Sequence, residues 1–193
     1  MTLCQGCAST LPELKFQKAD QRSTRPEEFE WPIGKTSLAK VKVSLDSPKM
    51  RGSAKGTIRA TRNGHVLLEV LGRNDVFLKV YFTDKQVIVW PEAGQPQSNM
   101  ITDIPSINDV MNQSMPNWRI DDILPISMEL NDEGERSWAL GGDSRYLERI
   151  RRQGFDDIYK EYSKPERDSI CPFRKVVLRD SSGKFRMTWT IKD

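Results

Sequence analysis

The sequence has little of the material from which catalytic and metal sites are built. Its 193 residues include three cysteines and one histidine. It has no run of about 18 apolar residues, the length that a membrane-spanning helix requires. Positive and negative charges are also nearly equal in number, with 30 basic and 27 acidic residues and a net charge of +3. This balance gives no argument for a nucleic-acid partner and at most a weak preference for anionic surfaces.

Motifs that carry catalysis or nucleotide binding are missing as well. The sequence contains no GxGxxG, P-loop, HExxH or GxSxG motif. Acidic residues are plentiful, but no two of them form a pair that would serve as general acid and base. We therefore expect neither an enzyme nor a bound cofactor.

Cys4 and Cys7 form a Cys-x-x-Cys pair, a spacing that can mark a redox or zinc site. A thiol-redox site requires a βαβ context, and none follows here. Cys171 and His65 complete a formal set of four metal ligands but supply no second close pair, so we expect no metal. His65 directly follows a turn, and we interpret it as a polar surface group.

The first residues are better explained as the end of a lipoprotein signal peptide. Such signals end in small residues before the cysteine that becomes lipidated, and Cys7, followed by Ala8, fits that position. The charged start and apolar middle of a signal are missing, so we expect the chain to be truncated or its start misassigned. Residues 1–7 are then a signal remnant; the alternative is an ordinary disordered terminus. Ala8 is not the aspartate that retains lipoproteins at the inner membrane, which favours the outer membrane.

Residues 8–35 carry three prolines among polar and charged residues, a composition typical of a tether. The remaining residues, 36–193, are long enough for one domain with a sizeable core. Hydrophobic content of 37% and charged content of 30% agree with a domain in water.

Alternating apolar residues predict that this domain consists mainly of strands. Three consecutive antiparallel strands are predicted within 66–90, where β-branched and aromatic runs are separated by turn residues. The last strand, 184–192, carries four large apolar side chains on one face, which indicates a core or a cavity. Further strands are predicted over 37–45, 52–62, 126–130, 137–141 and 173–180.

Two segments depart from the strand pattern. Apolar residues at helical spacing predict a short amphipathic helix over 105–114, and residues 118–124 add a second helical turn or two. Residues 146–162 fit either a helix or two strands around Gly154, and the residues alone leave both open.

Three local features are similar to one known family. Leu68-Glu-Val-Leu-Gly72 resembles an apolar strand that runs into Pro-Leu-Gly, and residues 107–124 resemble a helical insertion containing a proline. Tyr159-Lys-Glu-Tyr162, followed by Pro172 and two strands, resembles the end of the same fold. Together with the order of parts over residues 37–192, these features resemble LolB and its relative LolA, carriers of bacterial lipoproteins.

The resemblance implies a mainly β fold, an open antiparallel half β-barrel of about ten or eleven strands with a short helical lid over residues 103–124. It also favours strands over 146–162. In the family an apolar cavity takes the acyl chains of lipoproteins and passes them on without catalysis. The residues expected to line such a cavity here are Val66, Leu68, Val76, Leu78, Val80, Phe82, Ile107, Met111, Phe185, Met187, Trp189 and Ile191.

LolB is itself lipid-anchored. The resemblance therefore implies that this chain is anchored at the periplasmic face of the outer membrane of a Gram-negative bacterium. We also expect it to be a monomer. A periplasmic LolA-like carrier would be its partner. The family's exposed leucine, which assists delivery to the membrane, matches Leu71, although Val70 replaces the family's proline. The alternative role for Leu71 is an ordinary core residue at a strand end.

A second hypothesis keeps the same fold but not the transfer of lipids. The chain is then an envelope lipoprotein with a structural or assembly role, and its own side chains fill the interior. The two hypotheses differ in whether residues 103–124 pack tightly or leave volume beneath them.

Overall fold

The structure is a computed structural model. It describes residues 11–22, 25–26, 37–60, 65–71, 76–83, 87–90, 99–101, 106–108, 115–125, 134–165 and 173–192. These residues include the helix α1 (Pro12–Gln17) and twelve strands, and Ile107 and Asn108 are also helical. The strands are β1 (Asp20–Arg22), β2 (Ser37–Asp46), β3 (Arg51–Ala60), β4 (Val66–Leu71), β5 (Val76–Phe82), β6 (Val87–Trp90), β7 (Asn99–Ile101), β8 (Glu135–Leu140), β9 (Tyr146–Arg151), β10 (Ile158–Tyr162), β11 (Lys175–Arg179) and β12 (Arg186–Lys192).

All twelve strands belong to one unclosed antiparallel sheet, which confirms the predicted fold class. Its order is β1-β8-β9-β10-β11-β12-β2-β3-β4-β5-β6-β7. The last strand in the sequence, β12, therefore lies at the centre and pairs with β2. Two of the strands, β1 and β7, are three-residue edge strands that the sequence analysis did not include.

One face of the sheet, here called the inner face, carries a continuous apolar core. Alternate residues of every strand from β2 to β6 and from β8 to β12 contribute to it, because side chains of a strand point to opposite faces in turn. Gly56 in β3 permits a close approach to β4, since a Cβ atom there would lie 2.2 Å from the carbonyl oxygen of Glu69. A larger residue at this position would push the two strands apart.

The outer face is covered in part by α1. Phe16 of α1 packs against Ala139, Leu147 and Tyr159, which lie on β8, β9 and β10. Burial of one phenylalanine contributes about 1.5–3 kcal/mol, enough to hold a single turn and a half of helix in place. Residues 11–22 are therefore part of the domain, although the sequence analysis placed them in the tether 8–35.

Most of the predicted strands are confirmed. Residues 146–162 form β9 and β10, so the strand interpretation is correct there. The predicted strand 126–130 and most of the predicted helix 105–114 lie outside the described residues. Residues 118–124 form tight turns with hydrogen bonds between residues three apart, not an α-helix.

No helix among the described residues has both the length and the apolar character needed to cross a membrane.

An ion pair network holds α1 on the outer face, and it predicts a pH dependence. Glu161 of β10 accepts hydrogen bonds from Lys15 Nζ at 2.7 Å and from the Arg145 guanidinium at 2.6 Å. Burial alone would raise the pKa of Glu161, but these two cations outweigh it and lower the pKa below its ordinary value of 4.5. A lowered carboxyl pKa contributes stability above the unfolded pKa, and that stability is lost as pH falls through the folded pKa.

We expect Glu161→Gln to lower the free energy of unfolding by about 1 kcal/mol at neutral pH, a modest effect because the pair is partly exposed. The difference from the wild type should vanish as pH falls below 4.5. Urea denaturation across this pH range measures it, with Glu135→Gln as the exposed control. A difference that persists unchanged into acid would contradict this account of the Glu161 ion pairs.

Candidate functional site

The apolar residues predicted to line a cavity lie together on the inner face. Nine of them belong to a single core cluster, and each has at most 5% of its surface exposed. These nine are Val66, Leu68, Val80, Phe82, Ile107, Phe185, Met187, Trp189 and Ile191. The side chains of Val76 and Leu78 lie outside the described part of the chain, as do Met111 and Cys7.

Residues 115–125, here called the covering segment, lie across this apolar face. Trp118, Ile120 and Leu124 are fully buried against it. Trp118 meets Phe185 of the sheet edge-to-face, with ring centroids 5.1 Å apart. Such a contact contributes about 0.5–1.5 kcal/mol beyond the burial of apolar area. The covering segment thus takes the place that the sequence analysis gave to the lid.

Hydrogen bonds fasten the covering segment at both ends. Trp189 Nε1 of β12 donates to the carbonyl oxygen of Ile123 at 2.8 Å. At the other end, Asn117 N donates to Asp156 Oδ2 at 2.7 Å, and Asp156 N donates to the Asn117 carbonyl at 2.9 Å. The segment is attached to the sheet centre and to the β9–β10 turn.

A cleft of about 440 Å³ opens beside the start of the covering segment. Met115, Pro116 and Phe185 form its apolar wall, and the β2–β3 turn borders it. Phe185 is thus a predicted cavity residue that also lines a cleft. The carboxylates Asp156 and Asp180 lie at the same cleft.

The inner face of β2 and β3 is only partly covered. Val43, Leu45, Met50 and Ala54 pack against the core but remain half-buried. Next to Leu45 stands Gly52, and a Cβ atom built there would meet nothing within 4 Å. These residues form an apolar strip, here called the open strip, whose turn borders the cleft.

A cluster of buried charges lies beneath the other part of the covering segment. Glu148 of β9 is fully buried and accepts a hydrogen bond from the Tyr162 hydroxyl at 2.6 Å. Arg136 of β8 donates to Glu148 at 2.8 Å and to Asp122 at 3.0 Å. Burial beside the Glu148 carboxylate raises the pKa of Tyr162, so its hydroxyl stays protonated and acts as the donor.

The charges of the covering segment complete this cluster. Asp122 also accepts hydrogen bonds from Arg152, the shorter at 2.6 Å. Asp121 accepts two from Arg119, at 3.1 and 2.8 Å. Burial and the neighbouring Asp122 carboxylate raise the pKa of Asp121, and Arg119 opposes this shift. Arg136 on β8 and Arg152, directly after β9, therefore hold the covering segment through one carboxylate.

Lys160 of β10 is buried in the same cluster, with 1% of its surface exposed. Its Nζ donates to the carbonyl oxygen of Leu124 at 3.2 Å and lies 3.9 Å from Glu148 Oε2. Burial lowers the pKa of Lys160, while Glu148 partly compensates. Because each charge faces an opposite charge or a hydrogen-bond partner, the arrangement is suited to fastening the covering segment.

The sequence analysis missed this cluster. The sequence did contain one indication that Glu148 and Lys160 are buried. Glu148 alternates with Tyr146 and Ile150, and Lys160 alternates with Ile158 and Tyr162, so both belong to apolar faces. The partners Asp122 and Arg136 could not be assigned, since only the fold brings them near.

Leu71, the residue matched to the family's exposed leucine, is 42% exposed at the end of β4. It therefore does not belong to the core, which was the alternative role. The register between β4 and β5 shifts between Val70 and Leu71, and residues 72–75 lie outside the described part of the chain.

Loss of one partner from the buried cluster should cost far more stability than loss of a surface charge. We expect Glu148→Ala to lower the free energy of unfolding by about 3–5 kcal/mol, because Arg136 and Lys160 lose a buried counterion. Glu135→Ala on the neighbouring strand removes an exposed partner of Arg151, and should cost about 1 kcal/mol or less. Urea denaturation of both variants tests this. Equal effects would show that the cluster does not fasten the fold.

Known proteins resemble this chain in structure and not in sequence. No protein-family profile matches the chain, and no curated protein is significantly similar to it. A crystal structure of a LolA superfamily protein from Nitrosomonas europaea is similar, with a TM-score of 0.56 over 96% of this chain and 93% of that chain. Sequence identity is 10%, so this likeness concerns the fold alone. The chain has a LolA-like fold.

Proposed function

We propose that this protein binds acyl chains of lipids or lipoproteins between the inner face of its sheet and the covering segment. The observation that carries the proposal is a LolA-like sheet whose inner face is apolar except for the buried charges on β8, β9 and β10. Each methylene moved from water into such a face contributes about 0.8 kcal/mol. A few buried methylenes therefore give useful affinity, and transfer requires only a membrane or acceptor that binds the chain more tightly.

The open strip and the cleft beside it are the proposed access route for the acyl chain. Val43, Leu45 and Ala54 already present half-buried apolar surface, and Gly52 leaves space beside them. An acyl chain on this strip would extend the core without displacing Trp118 or Trp189. Deeper insertion would require the covering segment to move, which means breaking its hydrogen bonds to the sheet.

The lipid anchor, the location and the partner protein are proposed from the sequence. Cys7 would carry the lipid anchor, and the domain would stand at the periplasmic face of the outer membrane. It would receive lipoproteins from a LolA-like carrier, in the manner of LolB. Leu71, exposed at a strand end, would contact the bilayer during delivery. No covalent step is involved, and we propose neither an enzyme activity nor a cofactor.

The second candidate function is an envelope lipoprotein with a structural or assembly role. One observation favours it: the nine described residues of the predicted cavity are packed in the core, with at most 5% exposure. Trp118 and Trp189 fill space that an acyl chain would occupy in an open barrel. The two functions therefore differ in whether any lipid binds at all.

Lipid uptake by the purified chain separates the two candidates. We expect native mass spectrometry to show adducts with the mass of fatty acids or phospholipids, and a fluorescent fatty acid to bind after delipidation. Ala54→Phe should weaken fatty-acid binding by roughly tenfold, because the added ring displaces about two methylenes of ligand from the open strip.

Ser53→Phe is the matched control, since Ser53 precedes Ala54 on the same strand and points to the outer face. It should leave fatty-acid binding unchanged. Equal weakening by both variants would place the acyl chain elsewhere. A wild-type chain that takes up no lipid would refute acyl-chain binding and leave the structural role.

A further inference from the structure

The outer face of the central strands is strongly basic. Cross-strand neighbours in one row are Lys175, Thr190, Lys42 and Lys55, on β11, β12, β2 and β3 in turn. The adjacent row runs from Lys192 through Lys40 and Thr57 to Glu69, whose carboxylate forms an ion pair with Lys79 of β5. The basic face is defined here as six exposed side chains: Lys40, Lys42, Lys55, Arg59, Lys175 and Lys192.

Like charges stand directly opposite each other within the basic face. Lys42 pairs in register with Lys55, and Lys40 pairs with Lys192. Like charges at directly opposed positions destabilise a sheet. Within the described part of the chain, none of the six side chains of the basic face forms an ion pair. The described residues therefore do not relieve this repulsion.

Arginines elsewhere on the outer face form ion pairs. Arg145, Arg149 and Arg151 formed a basic run in the sequence, but each is paired with a carboxylate in the structure. Asp157 alone accepts from both Arg149 and Arg151. Positive charge is neutralised on this side of the molecule and left unpaired on the basic face.

Protection of a sheet edge does not explain the basic face. Lysines on edge strands prevent pairing with other chains. However, β2, β3 and β12 lie in the middle of the sheet, with neighbours on both sides. The lysines there do not guard an open edge.

We propose that the basic face docks on the surface of an anionic phospholipid bilayer. Lysines near such a surface are attracted to its negative potential, and each adds to binding. Leu38 and Leu71, 49% and 42% exposed, border the same face through the register pairs Leu38–Arg59 and Lys55–Leu71. Cations flanked by exposed leucines match a headgroup region with acyl chains beneath it. This docking does not depend on acyl-chain uptake by the inner face.

Vesicle flotation of the full chain, without a lipid anchor, tests the proposal. We expect binding to vesicles of phosphatidylcholine and phosphatidylglycerol in equal amounts, and little binding to phosphatidylcholine alone. Binding should fall as salt rises, because screening weakens the attraction. The double variant Lys42→Gln with Lys55→Gln should lower the partition coefficient by roughly twentyfold, about fivefold for each lysine removed.

The matched control is Lys18→Gln with Lys164→Gln, which changes net charge equally at two exposed lysines that belong neither to the basic face nor to the lining of the cleft. This control should bind vesicles as the wild type does. Equal losses in both double variants, or no preference for anionic vesicles, would overturn the proposal. So would tighter binding to duplex DNA than to anionic vesicles at the same salt concentration.

Two further readouts separate docking from folding and from lipid uptake. Lys42→Gln with Lys55→Gln removes a repulsive pair, so its unfolding midpoint should equal or exceed that of the wild type. Its fatty-acid binding should be unchanged, since both lysines point away from the inner face. A lowered midpoint would mean that the lysines support the fold, which contradicts the proposed role.

Discussion

The apolar inner face of the sheet has to be shielded from water, and the rest of the structure depends on this requirement. An unclosed sheet cannot bury one whole face by pairing its own edges. The covering segment supplies the missing layer through Trp118, Ile120 and Leu124. Where it ends, the open strip of β2 and β3 stays half-exposed. The covering segment shields most of the inner face, and the open strip beside it is the place where a hydrophobic ligand could be accommodated.

Apolar packing is not the only force that holds this layer. Glu148, Lys160 and Asp122 are buried charges, and taking such charges out of water usually costs about as much as their attraction returns. What these charges contribute here is a fixed position for the covering segment. Arg136 joins Glu148 on the sheet to Asp122 on the covering segment, so the charges pair only when the segment is correctly placed. An all-apolar contact would tolerate sliding, whereas this one does not.

The sequence predicted the strands well and the charge cluster not at all, for one physical reason. Burial of one sheet face imposes a period of two, which is visible over Phe185, Met187, Trp189 and Ile191. Contacts between distant segments leave no such local pattern. Nothing near Asp122 indicates Arg152, and nothing in the proline-containing start of the chain indicates that Phe16 covers β9.

The central position of β12 has a consequence for how the molecule forms. Residues 37–101 supply one half of the sheet and residues 134–179 the other, and β12 joins them by pairing with both β11 and β2. Until β12 has been synthesised, no strand pairing joins the two halves of the described sheet, and each half exposes an apolar face. Because the pairing of β12 with β2 joins residues far apart in the sequence, the fold has many non-local contacts, which make folding slow.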